Sequence, residues 1–324
     1  MRPLSIWCNV SYAPPLADEL RRALAGHNLV MARQPIAVNL DCGEDDPAID
    51  NCDAAFGQPP PQAVIRCPRL RWVHLNTAGY ERFDTPEMRA ALARRNGALT
   101  TSSTVYSEPC AQHVAAMMLA IARRLPESLD NQRQLRQWPA ADLRRRSYLL
   151  THQHALLLGF GAIGRRLAEL LAPFRMRIVA VRRKPAGDEP VETVSPEGVD
   201  ALLPHADHVI NLLPGGAATA NFVSARRISL MKPTAVFYNV GRGSTVDQDA
   251  LAAALHDRRI AAAYLDVMSP EPLPADHPLW TAPNCFITPH TAGGHADEHQ
   301  RIVHHFLENL RRFVDGRQLL DRVV

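Results

Sequence analysis

Residues His154 to Lys184 read HALLLGFGAIGRRLAELLAPFRMRIVAVRRK. Ala155–Leu158 is an apolar run of strand length, and it ends in Gly159-Phe160-Gly161-Ala162-Ile163-Gly164. From Ile163 the pattern turns helical, with Leu167, Leu170 and Leu171 on the same face, until Pro173 stops it. Arg177–Val181 is again rich in β-branched residues. A glycine triplet between strand and helix has a physical use. The first glycine permits the tight turn, the second lets the backbone close on a pyrophosphate, and the third lets helix and strand pack closely. The helix N-terminus adds unpaired N–H groups and partial positive charge facing that anion. Glycines in such turns also serve packing alone, but here strand, helix and second strand stand in the order a dinucleotide site needs. Gly159, Gly161, Ala162, Ile163 and Gly164 are the expected cradle.

The residue that selects between the two nicotinamide cofactors lies about 20 positions past the glycines, at the end of the second strand. NAD sites place an acid there to accept from the ribose hydroxyls. This chain has Arg182, Arg183 and Lys184, with no acid before Asp188. Two guanidinium groups and an ammonium suit a 2′-phosphate. A solvated basic loop is the structural alternative. The expectation is NADP(H), with NAD(H) possible.

The surrounding composition sets bounds. At 324 residues the chain has room for two ordinary domains. Its net charge of +3 is too slight to argue for nucleic acid or an anionic membrane. No apolar run reaches spanning length, and the N-terminal MRPLSIWCNVSYAPP has no signal-peptide apolar region. Six cysteines without a CxxC pair read as reduced thiols, so the expected compartment is the cytoplasm.

Toward the N-terminus, Ser5–Val10, Ala54–Phe56, Leu70–Leu75 and Ala98–Thr101 read as strands. Leu16–Leu24 and Pro86–Arg95 read as helices. Leu70–Leu75 enters Asn76-Thr77-Ala78-Gly79, a loop of small residues where backbone N–H groups can face an anion, or simply a turn using Gly79. A long helix starts near Pro109. Leu125–Arg146 is polar and arginine-rich, and reads as an arm helix followed by a loop, with Trp138 as an anchor for a partner. Toward the C-terminus, Ala206–Leu213, Ala235–Val240, Ala261–Val267 and Cys285–Thr288 are strands, alternating with Val199–Leu203 and Gln248–His256 as helices. His295–Val314 closes the chain as an amphipathic helix. Strands alternating with helices call for a doubly wound parallel sheet.

Ligands of such sheets sit at the carboxyl ends of the strands. Three polar residues fall there: Arg242 after AVFYNV, Glu271 after AAAYLDV and His290 after CFIT. An arginine holds a carboxylate bidentately and polarises a neighbouring carbonyl. A histidine gives that oxygen a proton as hydride reaches carbon, and a carboxylate against the imidazole fixes its tautomer. Each residue alone has a plain structural reading; three at strand ends beside a nucleotide loop point to one chemistry.

These stretches, GFGAIGRRLAELLAPFRMRI, ADHVINLLPGGAATANF, LMKPTAVFYNVGRGSTVDQDAL, LDVMSPEPLPADHPLW and PNCFITPHTAG, resemble the D-2-hydroxyacid dehydrogenase family, glyoxylate and hydroxypyruvate reductases among them. Weaker likeness runs through LRWVHLNTAGYERFD and AQHVAAMMLAIARRLP. The resemblance implies two Rossmann-like, doubly wound α/β parallel-sheet domains with an active-site cleft between them. Residues 1–101 together with 291–324 would form a flavodoxin-like substrate domain, and 102–290 the NAD(P)-binding domain. Arg242 would bind substrate, His290 would be the acid/base and Glu271 its partner, with backbone at Asn76, Ala78 and Gly79 on the substrate carboxylate. Leu213, Pro214, Val240, Gly241, Asp266, Ala292 and Gly293 would line the cofactor, beside His290. The resemblance further implies a homodimer formed through the cofactor domain, with Trp138 reaching the partner's site. Gln112, Ala162 and Arg175 depart from the family's usual glutamate, longer polar residue and glycine.

Three other readings compete with this one. Formate and phosphite dehydrogenases share the fold but do not need the Arg–Glu–His set in these roles. A nucleotide-sensing co-repressor keeps the triad. Zinc at His295 and His299, four apart with His304-His305 following, lacks the adjacent glutamate and is not needed by the chemistry, so no metal is expected.

Overall fold

The computed structural model describes residues 2–36, 41–185 and 187–324. The chain divides into two compact units, Met1–Tyr106 with His295–Val324, and Ser107–Gly294.

In the first unit the strands are β1 (Ser5–Val10), β2 (Asn28–Ile36), β3 (Ala54–Gly57), β4 (Trp72–Leu75) and β5 (Ala98–Thr100). They pair in parallel in the order β2-β1-β3-β4-β5. Because successive strand side chains alternate between faces, Ile6 and Cys8 enter one core layer and Trp7 the other. The helix Glu298–Val314 covers the first layer with Ile302, Val303, Phe306 and Leu310, a stripe at three- and four-residue spacing. Phe306 stacks on Phe56 at 4.1 Å between ring centroids and on Trp72 at 5.4 Å. The helices Pro61–Arg66 and Pro86–Ala93 cover the other layer.

The second unit holds β6 (His154–Leu158), β7 (Arg177–Val181), β8 (Glu192–Val194), β9 (His208–Asn211), β10 (Val236–Asn239), β11 (Ala262–Leu265) and β12 (Cys285–Ile287). All pair in parallel, in the order β12-β11-β10-β9-β6-β7-β8. Strand order reverses between β6 and β9, so the glycine turn after β6 stands at the switch point where such sheets bind ligands. β9, β10 and β11 are buried along their whole length, as strands covered on both faces must be.

Some elements differ from the sequence reading. β2 and β8 went unannounced, because both are edge strands with mostly exposed or half-buried side chains and no continuous apolar run. The long helix starts at Ser103 and carries Pro109 inside it, spanning Ser103–Ala122. Burial of Val105, Ala111, Val114, Met118 and Ile121 outweighs the one donor that proline removes. The arm is two short helices, Leu125–Asp130 and Ala140–Arg146, joined through a π turn at Asn131–Leu135, with no buried residue in any of the three. The histidines of the C-terminal helix face separate partners: His299 the Tyr12 ring, His304 Glu19, and His305 Asp321. Among the described residues no helix is long and apolar enough to cross a membrane.

Candidate active site

The three glycines of the turn are used in three ways. Gly159 has φ +111°, a conformation that L side chains rarely adopt, so the chain can leave β6 sharply. A Cβ at Gly161 would meet nothing within 4 Å, which leaves the helix N-terminus open to an incoming group. A Cβ at Gly164 would stand 2.8 Å from the Gly159 carbonyl oxygen, so only glycine allows helix and turn to close up. Gly161 caps the helix Ala162–Leu171, whose first turn carries no acidic residue. An open backbone approach and an N-terminus without a competing carboxylate fit a pyrophosphate.

At the end of β7, Arg183 and Lys184 are exposed, whereas Arg182 is half-buried and paired with Glu189. The Glu189 carboxylate is 1 % exposed and also accepts from the Gly187 N–H at 2.8 Å and the Thr193 hydroxyl at 3.3 Å. Glu189 lies beyond the window in which an acid normally selects NAD, so sequence spacing hides it; its buried oxygens organise the basic loop rather than meet a ribose.

Arg242, Glu271 and His290 follow the adjacent strands β10, β11 and β12 in the same sheet. Arg242 sits in extended backbone (φ −144°, ψ 145°) and donates to the Gly241 carbonyl at 2.7 Å. Its own carbonyl accepts from the Thr245 hydroxyl at 2.7 Å and from Asn239 Nδ2 at 3.3 Å. Asn211 Nδ2 ties the two together, donating to Asn239 Oδ1 at 2.9 Å and Thr245 Oγ1 at 2.7 Å. Asn211, Asn239 and Thr245 are all at most 1 % exposed. A fully satisfied buried amide–hydroxyl network of this kind rigidifies the arginine loop.

Glu271 divides its carboxylate. Oε1 accepts from the Met268 N–H at 2.9 Å, and Oε2 lies 2.6 Å from His290 Nδ1. Burial alone would raise the Glu271 carboxyl, but hydrogen bonds from His290 and Met268, with the charges of His290 and Arg242, hold it below the usual carboxylate range. Ionised Glu271 can only accept, so Nδ1 carries a proton and Nε2 is the nitrogen left for chemistry. Two further contacts fix the loop that carries Glu271. Gln248 clasps Ser269, donating to its carbonyl at 2.7 Å and accepting from its N–H at 2.8 Å. A Cβ at Gly243 would fall 1.9 Å from the Met268 carbonyl carbon, so the arginine loop and the glutamate loop touch backbone to backbone.

His290 has φ +54°, an uncommon conformation for a residue with a Cβ, held by its N–H to the carbonyls of Asp266 at 2.9 Å and Thr288 at 3.0 Å. Asp266, 2 % exposed, accepts from the Thr288 hydroxyl at 2.6 Å and from the N–H groups of Thr291 at 2.8 Å and Ala292 at 3.0 Å. Its carboxylate therefore binds the turn on which His290 stands. Leu213 and Gly293 are half-buried, Pro214 is exposed, and Val240, Gly241 and Ala292 are buried. Sequence reading did not single out Gln248, Asn211, Asn239 or Thr245; the only signal was a polar residue closing two apolar runs, VIN and FYN.

Asn76, Ala78 and Gly79 belong to the first unit, directly after β4. Asn76 is fully buried; its Oδ1 accepts from Gln58 Nε2 and its carbonyl from the Tyr106 hydroxyl, each at 2.9 Å. The Thr77 hydroxyl donates to the Gly79 carbonyl at 2.8 Å, closing the turn and leaving Ala78 and Gly79 half-exposed. Trp138, in the second unit, is 92 % exposed.

A Rossmann-order sheet with a glycine turn at its switch point and an arginine, a glutamate and a histidine on neighbouring strand ends defines an NAD(P)-dependent oxidoreductase. The sequence model of the D-isomer specific 2-hydroxyacid dehydrogenase NAD binding domain matches residues 115–292, and the chain belongs to that family. An uncharacterised protein of Corynebacterium melassecola is 38% identical over 179 residues, 55% of this chain and 59% of that protein. Glyoxylate/hydroxypyruvate reductase B of Pectobacterium atrosepticum is 32% identical over 289 residues, 85% of each chain. The NADPH-dependent glyoxylate/hydroxypyruvate reductase of Sinorhizobium meliloti, crystallised with NADP and malonate, superposes with TM-score 0.75 at 25% identity, over 100% of this chain and 97% of its own.

Proposed function

We propose that this protein reduces a short 2-keto acid, of the glyoxylate or hydroxypyruvate type, to the D-2-hydroxy acid, with NADP(H) as its preferred cofactor. The observation that carries the reading is the Glu271–His290 contact of 2.6 Å, anchored by the Met268 N–H and set on the strand neighbouring that of Arg242. The nicotinamide, when bound, supplies the hydride. Arg242 holds the substrate carboxylate and polarises the keto oxygen. His290, protonated on both nitrogens with Nδ1–H on Glu271, gives the Nε2 proton to that oxygen, and Glu271 stabilises the imidazolium until it does. The backbone at Gly161–Gly164 takes the pyrophosphate, and Arg183 and Lys184 take the 2′-phosphate, with Arg182 braced by Glu189. The resemblance to a reductase crystallised with NADP supports the cofactor choice.

The exposed apolar side chains of the arm, Leu125, Leu129, Leu135 and Trp138, with Leu149 just after it, support a homodimer formed through this segment of the cofactor unit, with Trp138 as its anchor.

A panel of 2-keto acids assayed with NADPH and NADH side by side tests the reading. Expected is turnover of glyoxylate or hydroxypyruvate with kcat/KM higher for NADPH, and loss of that preference in the Arg183→Ala, Lys184→Ala double variant. Better use of NADH by the parent protein refutes the cofactor choice, and no 2-keto acid turned over refutes the reaction.

A further inference from the structure

A cavity of about 840 Å³ opens in the first unit, at the edge of its sheet opposite Asn76, Ala78 and Gly79. Its lining comes from the amino-terminal ends of the strands: Arg2 before β1, Asp53 before β3, Arg69 and Arg71 before β4, and Arg95 before β5, with Phe313 from the C-terminal helix. Open parallel sheets bind their substrates and cofactors at the carboxyl ends of the strands, so this is the opposite edge.

Four arginines and one carboxylate line it. That carboxylate is already engaged: Asp53 is 5 % exposed and accepts from the Ser5 N–H at 2.9 Å, Arg69 at 3.2 Å and Arg2 at 3.5 Å. Arg71 and Arg95 have no carboxylate partner among the described residues. Arg71 is exposed and lies over the Phe313 ring at 5.6 Å, and Phe313 is itself stacked on Trp72 at 5.3 Å, so an aromatic pair backs the guanidinium at the cavity wall. Arg95 is half-buried and bonds only to neutral groups, the carbonyls of Val64 and Cys67. Its Nε is buried without a hydrogen-bond partner. Burial pulls the Arg95 guanidinium below its ordinary value, Cys67 opposing and Arg94 adding to the effect. A desolvated cation with an unsatisfied donor is costly in isolation, and an anion beside it relieves that cost.

We propose that this cavity is a second ligand site, which takes a small polyanion with clustered oxyanion groups, held by Arg71 and Arg95 with Arg2 and Arg69 at its rim. Planar guanidinium forks bind phosphate and carboxylate alike, so the ligand is either a phosphate compound or a polycarboxylate. The site does not depend on the reaction proposed above.

Titration calorimetry of the whole protein, with the glycine turn first saturated by NADP⁺, tests this with inorganic pyrophosphate in one arm and citrate in the other. Arg71→Glu is the informative variant, because Arg95 also ties down two backbone carbonyls and its loss could unfold the region. Expected is saturable binding of one equivalent of either probe, weakened about tenfold or more by Arg71→Glu, with 2-keto acid turnover unchanged in that variant. The arm that binds names the ligand chemistry. Binding of neither probe, or binding that Arg71→Glu leaves intact, overturns the proposal.

Discussion

Glu271 gives one oxygen to a backbone N–H and the other to an imidazole, and this division decides which histidine nitrogen does chemistry. Its carboxyl lies below the usual range, so it is ionised across the neutral region and accepts the Nδ1 proton of His290. In the proposed reduction a proton passes from His290 to the keto oxygen, so kcat/KM for the keto acid is expected to fall as pH rises. Glu271→Gln removes the negative charge but keeps the shape. We expect the alkaline fall in its pH–rate profile to move to lower pH and the maximal rate to drop about 10²-fold. A profile that superposes on the parent's contradicts the pairing. Gln248 acts one step further out, through the backbone of Ser269. Gln248→Ala should lower kcat while leaving NADPH affinity, read by fluorescence titration, unchanged; an equal loss in both would mean that it serves the fold alone.

At the scale of elements, the strands that place the site were legible because they are buried. β6, β9, β10 and β11 read as apolar runs, and the glycine turn, Arg242 and Glu271 follow three of them, while His290 follows the half-buried β12. The edge strands β2 and β8 give no such signal: β2 carries Asn28, Arg33 and Gln34 toward solvent and reads as a loop. Long-range closures were equally hidden. Nothing in the spacing announces that Glu189 returns to Arg182, that Asp266 holds the His290 turn, or that Gly243 lies against Met268. The last of these is testable. A methyl group at Gly243 meets backbone rather than a mobile side chain, so Gly243→Ala should destabilise the second unit by about 3 kcal/mol and depress turnover, as followed by urea unfolding and steady-state rates. An alanine variant with the parent's stability and rate would show that the two loops do not pack as described.

The molecule as a whole carries a pH signature in its buried imidazoles. His208, fully buried, lies between the Tyr238 hydroxyl at 3.0 Å and Gln153 Oε1 at 2.6 Å, so its neutral ring is satisfied on both sides. Burial pushes it down to about 4, Asp207 opposing and Lys232 adding to the effect. Between that value and the ordinary 6.5 the unfolded chain binds a proton that the folded chain does not, so stability is lost as pH falls through this window. Its share is about 2 kcal/mol between pH 7 and pH 5. His74, in the first unit, is held well below its ordinary value by burial, with His305 adding and Asp321 opposing, and acts in the same direction. His208→Asn should flatten the acid dependence of urea unfolding of the second unit, and an unchanged slope would show that the ring is not the proton acceptor. For the proposed reaction one measurement is the most direct: NADPH oxidation by His290→Ala with glyoxylate and hydroxypyruvate, alongside NADPH binding by fluorescence. We predict turnover reduced at least about 10²-fold with cofactor affinity retained; a variant that turns over either acid at the parent's rate would contradict the assignment of His290 as the proton donor.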